Sequence, residues 1–279
     1  MGEKTGIAWT DHTFNPWIGC TAVSPACAKC YAETMAKRYG WSFAERRRTT
    51  PANWRKPLLW NRQAEDADVR RKVFCPSLGD PFDNQVPEEW RSDLFDLIRV
   101  CTALDWQMLT KRPQNIAKML PPDWATGWPH VWLGTTVESQ VEADRRIPHL
   151  LAVPAAVRFL SCEPLLGPVD LTDVTDRTVC APDIGEHHFS ALPDKDDEPG
   201  ENYVDWVIIG GESGPGARSM PRAWADDLVG QCRAAGVATF VKQVGSRPGP
   251  DWPAGIKGSG TDPAEWPAEL RVQEFPHAA

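Results

Sequence analysis

Cys20, Cys27 and Cys30 fall within eleven consecutive residues near the start of a 279-residue chain. Thiolates are soft ligands, and three in one loop suit a metal centre. Three is one fewer than a closed structural zinc site takes. It is also one fewer than the thiolates of an electron-carrying [4Fe–4S] cluster. A centre with three protein ligands keeps one coordination position open, and an open position is where chemistry is done. Two non-catalytic alternatives stand beside this. One is zinc held by the triplet with Cys75 or His12 as fourth ligand. The other is an iron–sulfur protein that binds nucleic acid or a partner without reaction.

The elements that must position such a centre are legible as alternating patterns. Short apolar, β-branched or aromatic runs at 72–75, 105–110, 130–136, 157–161, 206–209 and 238–242 read as buried strands, and 6–10 is an earlier candidate. Helical character lies between them at 31–39, 87–104, 139–150 and 221–235. In 87–104, Trp90, Leu94, Leu97, Ile98 and Cys101 recur at helical spacing. This alternation predicts an α/β fold, a partial or full (β/α) barrel of parallel strands or else a doubly wound sheet. Residues 1–245 read as one barrel domain. Residues of about 172–202 are an acidic inserted loop, and 246–279 are an irregular tail rich in Pro, Gly and Trp.

Side chains at the C-terminal strand ends of a β/α barrel converge on its active face. Here those positions hold Ser77 and Asp80; Thr110, Lys111 and Arg112; Thr136 and Glu138; Glu163; Gly210, Gly211 and Glu212; and Lys242 and Gln243. One polar strand end is unremarkable, because every strand meets a loop. Six together predict a site. The glycines of 210–216 let backbone approach a ligand, and Glu212 suits an amine or a ribose hydroxyl. Lys111, Arg112 and Lys242 suit a carboxylate or phosphate. Cys75 and Cys162 are read chiefly as buried inert thiols, and Cys101, Cys180 and Cys232 as structural.

No run approaches eighteen apolar residues, and residues 1–6 lack a charged start followed by an apolar stretch. A cytoplasmic protein with reduced cysteines and no membrane contact is expected. The net charge of −8 is unevenly spread. Arg46, Arg47, Arg48, Arg55, Lys56, Arg62, Arg70, Arg71 and Lys72 lie in the N-terminal third, whereas 194–198 is acidic. Solvated helix faces are the commoner meaning of such runs; a basic surface for an anionic substrate is the functional one.

The phrases WTDHTFNPWIGC (9–20), SPACAKCYAE (24–33), LTKRP (109–113), GTTVE (134–138), LSCEPLLG (160–167) and IGGESG (209–214) carry a resemblance over roughly 6–245. The chain resembles the radical S-adenosylmethionine superfamily, and more closely a phage-associated three-cysteine family often classed with it. The resemblance implies that Cys20, Cys27 and Cys30 hold three irons of a [4Fe–4S] cluster while S-adenosylmethionine chelates the fourth. Reductive cleavage by an external one-electron reductant would yield a 5′-deoxyadenosyl radical that takes hydrogen from substrate. It further implies Ser77 and Asp80 at the cofactor amino group, Thr136 and Glu138 at the ribose, and Gly210, Gly211 and Glu212 beside the adenosine. Lys111, Glu163 and Lys242 are then the catalytic candidates. Arg112, Arg218 and Gln243 are those for substrate, with a nucleobase, nucleotide or DNA as its class. Two features depart from the superfamily pattern. The first cysteine gap has six residues instead of three, and the aromatic Tyr31 follows the last cysteine instead of preceding it.

Overall fold

The computed structural model describes residues 5–176, 178, 187–194 and 202–276. The chain begins with β1 (His12–Thr13), β2 (Trp17–Ile18), α1 (Tyr31–Arg38), β3 (Arg47–Arg48), α2 (Pro51–Trp54) and α3 (Lys56–Asp66). It continues with β4 (Arg71–Cys75), α4 (Glu88–Val100), β5 (Leu104–Thr110), α5 (Ile116–Met119), β6 (Val131–Thr136) and α6 (Gln140–Leu151). The remainder is β7 (Val157–Cys162), β8 (Val174–Asp176), β9 (His187–Phe189), β10 (Trp206–Gly210), α7 (Arg222–Ala235) and β11 (Ala238–Gln243).

Seven strands form one sheet in the order β1-β4-β5-β6-β7-β10-β11. The fold class is the expected one: α/β, with the parallel sheet of a partial (β/α) barrel. β6, β7 and β10 are buried at every position, which explains why they read as unbroken apolar runs instead of alternating ones. Residue contacts divide the chain into two compact units. One comprises the residues up to Gly134 with Pro154–Ala156; the other is Thr135–Val153 with the residues from Val157 onward, so the division falls inside β6.

Several boundaries differ from expectation for local reasons. The strand expected at 6–10 is absent, because a turn from Ile7 O to Thr10 N (3.4 Å) bends it and the Trp9 ring packs on Phe74. Pairing with β4 starts only at His12, opposite Val73. α4 stops at Val100 because Cys101 leaves helical geometry (φ −104°, ψ 64°) to enter β5. α2 and α3 carry no apolar periodicity strong enough to predict. Thr50 accepts the Asn53 N–H (3.3 Å), and Pro51 and Pro57 open their first turns. Within the expected insertion, β8 and β9 pair antiparallel, while 177, 179–186 and 195–201 lie outside the described residues. Cys180 falls there too. The tail packs: Val241 N–H donates to Val272 O (2.8 Å), Glu274 N–H to Thr239 O (2.9 Å), and Trp252 and Trp266 are buried.

Candidate functional site

The cysteine loop is held by its backbone. Gly19 sits at φ +116°, and a Cβ there would lie 2.2 Å from Glu45 O, so the chain closes tightly at this point only as glycine. The closure lets Cys20 N–H donate to Phe43 O at 2.9 Å. A short 3-10 turn, Pro25–Lys29, then carries Cys27, whose Sγ lies 3.9 Å from Ser24 Oγ. Cys30 N–H donates to Cys27 O (3.2 Å), and Cys30 opens α1. All three thiols are half-buried and free.

Behind Cys20 stands a saturated ion pair. Asp80, on the loop after β4, accepts from Phe82 N–H (2.9 Å), Thr110 Oγ1 (2.7 Å), Lys111 N–H (3.0 Å) and Arg112 Nη1 (3.0 Å). Arg112 also donates to Thr21 O through Nη2 (2.8 Å) and brings Nη1 within 3.5 Å of Cys20 Sγ. Both partners are buried, and such a pair is sound only with its remaining hydrogen bonds made. Burial pushes the Cys20 thiol pKa up, Asp80 adds to that, and Arg112 pulls it back, with a net rise. For Arg112, burial opposes the charge, but Asp80 and Cys20 outweigh it and the guanidinium is held more firmly protonated.

Ser77 is fixed from two sides. Asn15 Oδ1 accepts from Ser77 N–H (2.8 Å) and Leu78 N–H (2.7 Å), and Asn15 Nδ2 donates to Ser77 Oγ (3.1 Å). The Tyr31 hydroxyl donates to Ser77 O, tying the first turn of α1 to the strand end. Thus Ser77, Asp80 and Arg112 do gather near the cysteine loop, whereas Lys111 joins through its backbone N–H. The cofactor-amine role expected of Asp80 meets a carboxylate that already accepts four donors.

In the second unit the three expected glutamates each have a basic partner. Lys242 Nζ donates to Glu163 Oε1 (2.5 Å), with both side chains part-exposed. Gly210 lies against Glu163, where a Cβ would come 3.2 Å from Glu163 Cγ. Gly211 allows the closest approach of all: a Cβ there would lie 1.9 Å from Val244 O. Its carbonyl accepts from Gln243 Nε2 (2.8 Å). Glu212 accepts from Arg218 N–H (2.8 Å) and Arg218 Nε (3.0 Å). Glu138 accepts from Arg146 Nη1 (2.7 Å), which also donates to Thr136 O (2.7 Å). Glu138 and Glu212 are therefore buried acceptors with a guanidinium in place.

Sequence reasoning missed Asn15, Tyr31 and Arg146, and the buried pair of Arg46 with Asp83. The one available signal was Asn15 itself, an amide set between Phe14 and the apolar run Pro16–Ile18. Of the proposed fourth zinc ligands, Cys75 is fully buried on β4 and His12 stacks on Trp60 at 4.3 Å. Among the described residues no three His, Cys, Asp or Glu side chains stand together as a metal-holding group. The triplet is thus a donor set in kind, with its thiols not drawn together.

Residues 4–261 match the DUF5131 family, described as proteins of unknown function. The chain belongs to that family. The matched span contains the cysteine loop and every strand end described above. No curated protein and no solved structure matches the chain. Among the described residues of this DUF5131 protein, no helix is long and apolar enough to cross a membrane.

Proposed function

We propose that this chain is an iron–sulfur enzyme of the radical S-adenosylmethionine type, with Cys20, Cys27 and Cys30 as cluster ligands. The observation that carries the reading is the pairing of three free, half-buried thiols in one loop with a guanidinium 3.5 Å from Cys20 Sγ. The donor set fits in kind, since soft thiolates are what such clusters take. To seat one, the Cys20 to Cys30 loop must contract, because its thiols do not stand together as a metal-holding group. When bound, a [4Fe–4S] cluster with one iron free of thiolate supplies one-electron reduction of S-adenosylmethionine, given an external reductant.

The chain's own residues have defined parts. Arg112 offers an N–H and a positive charge to the Cys20 sulfur, and Asp80 keeps that guanidinium aimed. Asn15 and Tyr31 hold Ser77 rigid beside α1, whose N-cap is Cys30. Glu163 and Lys242 are the pair we assign to proton movement at the substrate, with Nζ donating and Oε1 receiving. Three free thiols suit a reducing compartment, the cytoplasm.

The test is anaerobic reduction of the reconstituted protein with dithionite in the presence of S-adenosylmethionine. Release of 5′-deoxyadenosine is expected. A fully loaded cluster that yields none would remove the cleavage activity, and one equivalent of zinc without iron would remove the cluster as well.

A further inference from the structure

The segment 29–62 differs in character from the rest of the chain. It holds nine Lys and Arg against two Glu in a protein whose net charge is −8. Five of the eight exposed large apolar side chains among the described residues also lie in it: Tyr31, Met35, Tyr39, Leu58 and Leu59. Cations and exposed aromatic faces on one short segment are what a nucleic-acid strand requires, the first for phosphates and the second for bases.

The geometry is more specific than the composition. Tyr39, where α1 ends, stacks on Trp41 with ring centroids 5.3 Å apart and planes 28° apart. The Arg47 guanidinium lies over the same Trp41 ring at 5.3 Å. Tyr39, Trp41 and Arg47 therefore make a ladder, with Tyr39 61% exposed at its open end. Some neighbouring cations are already used: Arg46 on Asp83, Arg48 on Asp93 and Lys37 on Glu33. Arg38, Arg47 and Arg55 are exposed and have no ion pair among the described residues. The ladder adjoins the cysteine loop. Phe43 O accepts the Cys20 N–H, and Arg46 Nη2 donates to Thr21 Oγ1 (2.9 Å).

We propose that this surface binds single-stranded nucleic acid, with a base stacked on the open face of Tyr39 and phosphates on Arg38 and Arg47. A single strand is favoured over a duplex because the ladder offers a flat π-face, and only an unpaired base can meet it. The inference deepens the proposed function by naming its substrate class. The binding step needs no cluster, so the two ideas fail separately.

The experiment is fluorescence anisotropy of a labelled oligothymidylate of roughly 16 nucleotides. It uses the full-length chain purified without cluster reconstitution, at about 50 mM salt. Tyr39→Ala should weaken binding roughly tenfold, while Tyr39→Phe, which keeps the ring, should restore it. Arg47→Gln should lower the slope of log affinity against log salt by about 0.7, the loss of one single-strand phosphate contact. Cys27→Ser should bind like wild type, even if that change abolishes a cluster. Equal affinity of Tyr39→Ala and wild type would overturn the proposal, as would absence of oligonucleotide binding. Binding of phosphatidylserine vesicles with none of the oligonucleotide would assign the surface to a membrane instead.

Discussion

Asp80 should be the most costly residue to alter in the first unit, and its hydrogen bonds say why. Asp80→Asn is nearly isosteric, yet it replaces an anion accepting four donors with an amide that accepts on one atom only. The new NH2 would face two of the existing donors, and Arg112 would remain buried without its counter-charge. Breaking a buried pair from one side costs about 3–5 kcal/mol. Arg112→Met is the informative contrast. It removes the cation, fills part of its volume, and leaves Asp80 with three donors still in place, so a smaller loss of about 1–3 kcal/mol is expected. Urea denaturation followed by tryptophan fluorescence, with hydrogen exchange of the Lys111 amide as a local probe, measures both. A loss below about 1 kcal/mol for Asp80→Asn, as a surface pair would give, would show that the buried pair does not hold this loop. So would Arg112→Met proving the more damaging change.

Two further outcomes follow from the cysteines. In the native protein a thiol reagent should modify Cys20, Cys27 and Cys30 while Cys75, Cys101, Cys162 and Cys232 stay protected by burial, which peptide mapping would check; early labelling of Cys162 would contradict the packing. Alkaline stability should fall as well. Burial raises the Cys101 pKa from 9.0 to about 12 and that of Cys232 to about 11, with Cys75 and Cys162 also raised. Such thiols contribute stability that is complete below pH 9 and lost as pH climbs toward the folded values, at about 1.4 kcal/mol per pH unit for each thiol. A denaturation midpoint unchanged between about pH 8.5 and 10.5 would oppose this.

The sheet was readable because buried parallel strands such as Val131–Thr136 and Trp206–Gly210 are short apolar runs that end in polar residues. Short elements were not. β1 has only two residues and is fixed by pairing with Val73 and Phe74, partners sixty-one residues away in sequence. α2 and α3 rest on a cap and two prolines more than on an apolar stripe. At the candidate site the residue types were legible and their partners were not. Strand-end position points Asp80, Glu138 and Glu212 toward a ligand, and in the structure each also carries an arginine: Arg112 and Arg218, themselves substrate candidates, and Arg146, for which the sequence offers no signal. Ion pairing over thirty-two, eight and six residues depends on how loops return to a strand end, and spacing alone does not encode that. Asn15 escaped notice for the same reason, since its value lies in holding Ser77 from sixty-two residues away.

On the proposed function, Cys20, Cys27 and Cys30 hold an iron–sulfur cluster with one iron free of thiolate. The decisive measurement is anaerobic reconstitution with iron and sulfide, followed by metal and acid-labile sulfide analysis and by EPR of the reduced protein. About four irons and four sulfides per chain are expected. The reduced signal should shift on adding S-adenosylmethionine, and both iron and signal should be absent in Cys27→Ala. Iron well below stoichiometric, or a spectrum that Cys27→Ala leaves unchanged, would mean that these thiols hold no such cluster.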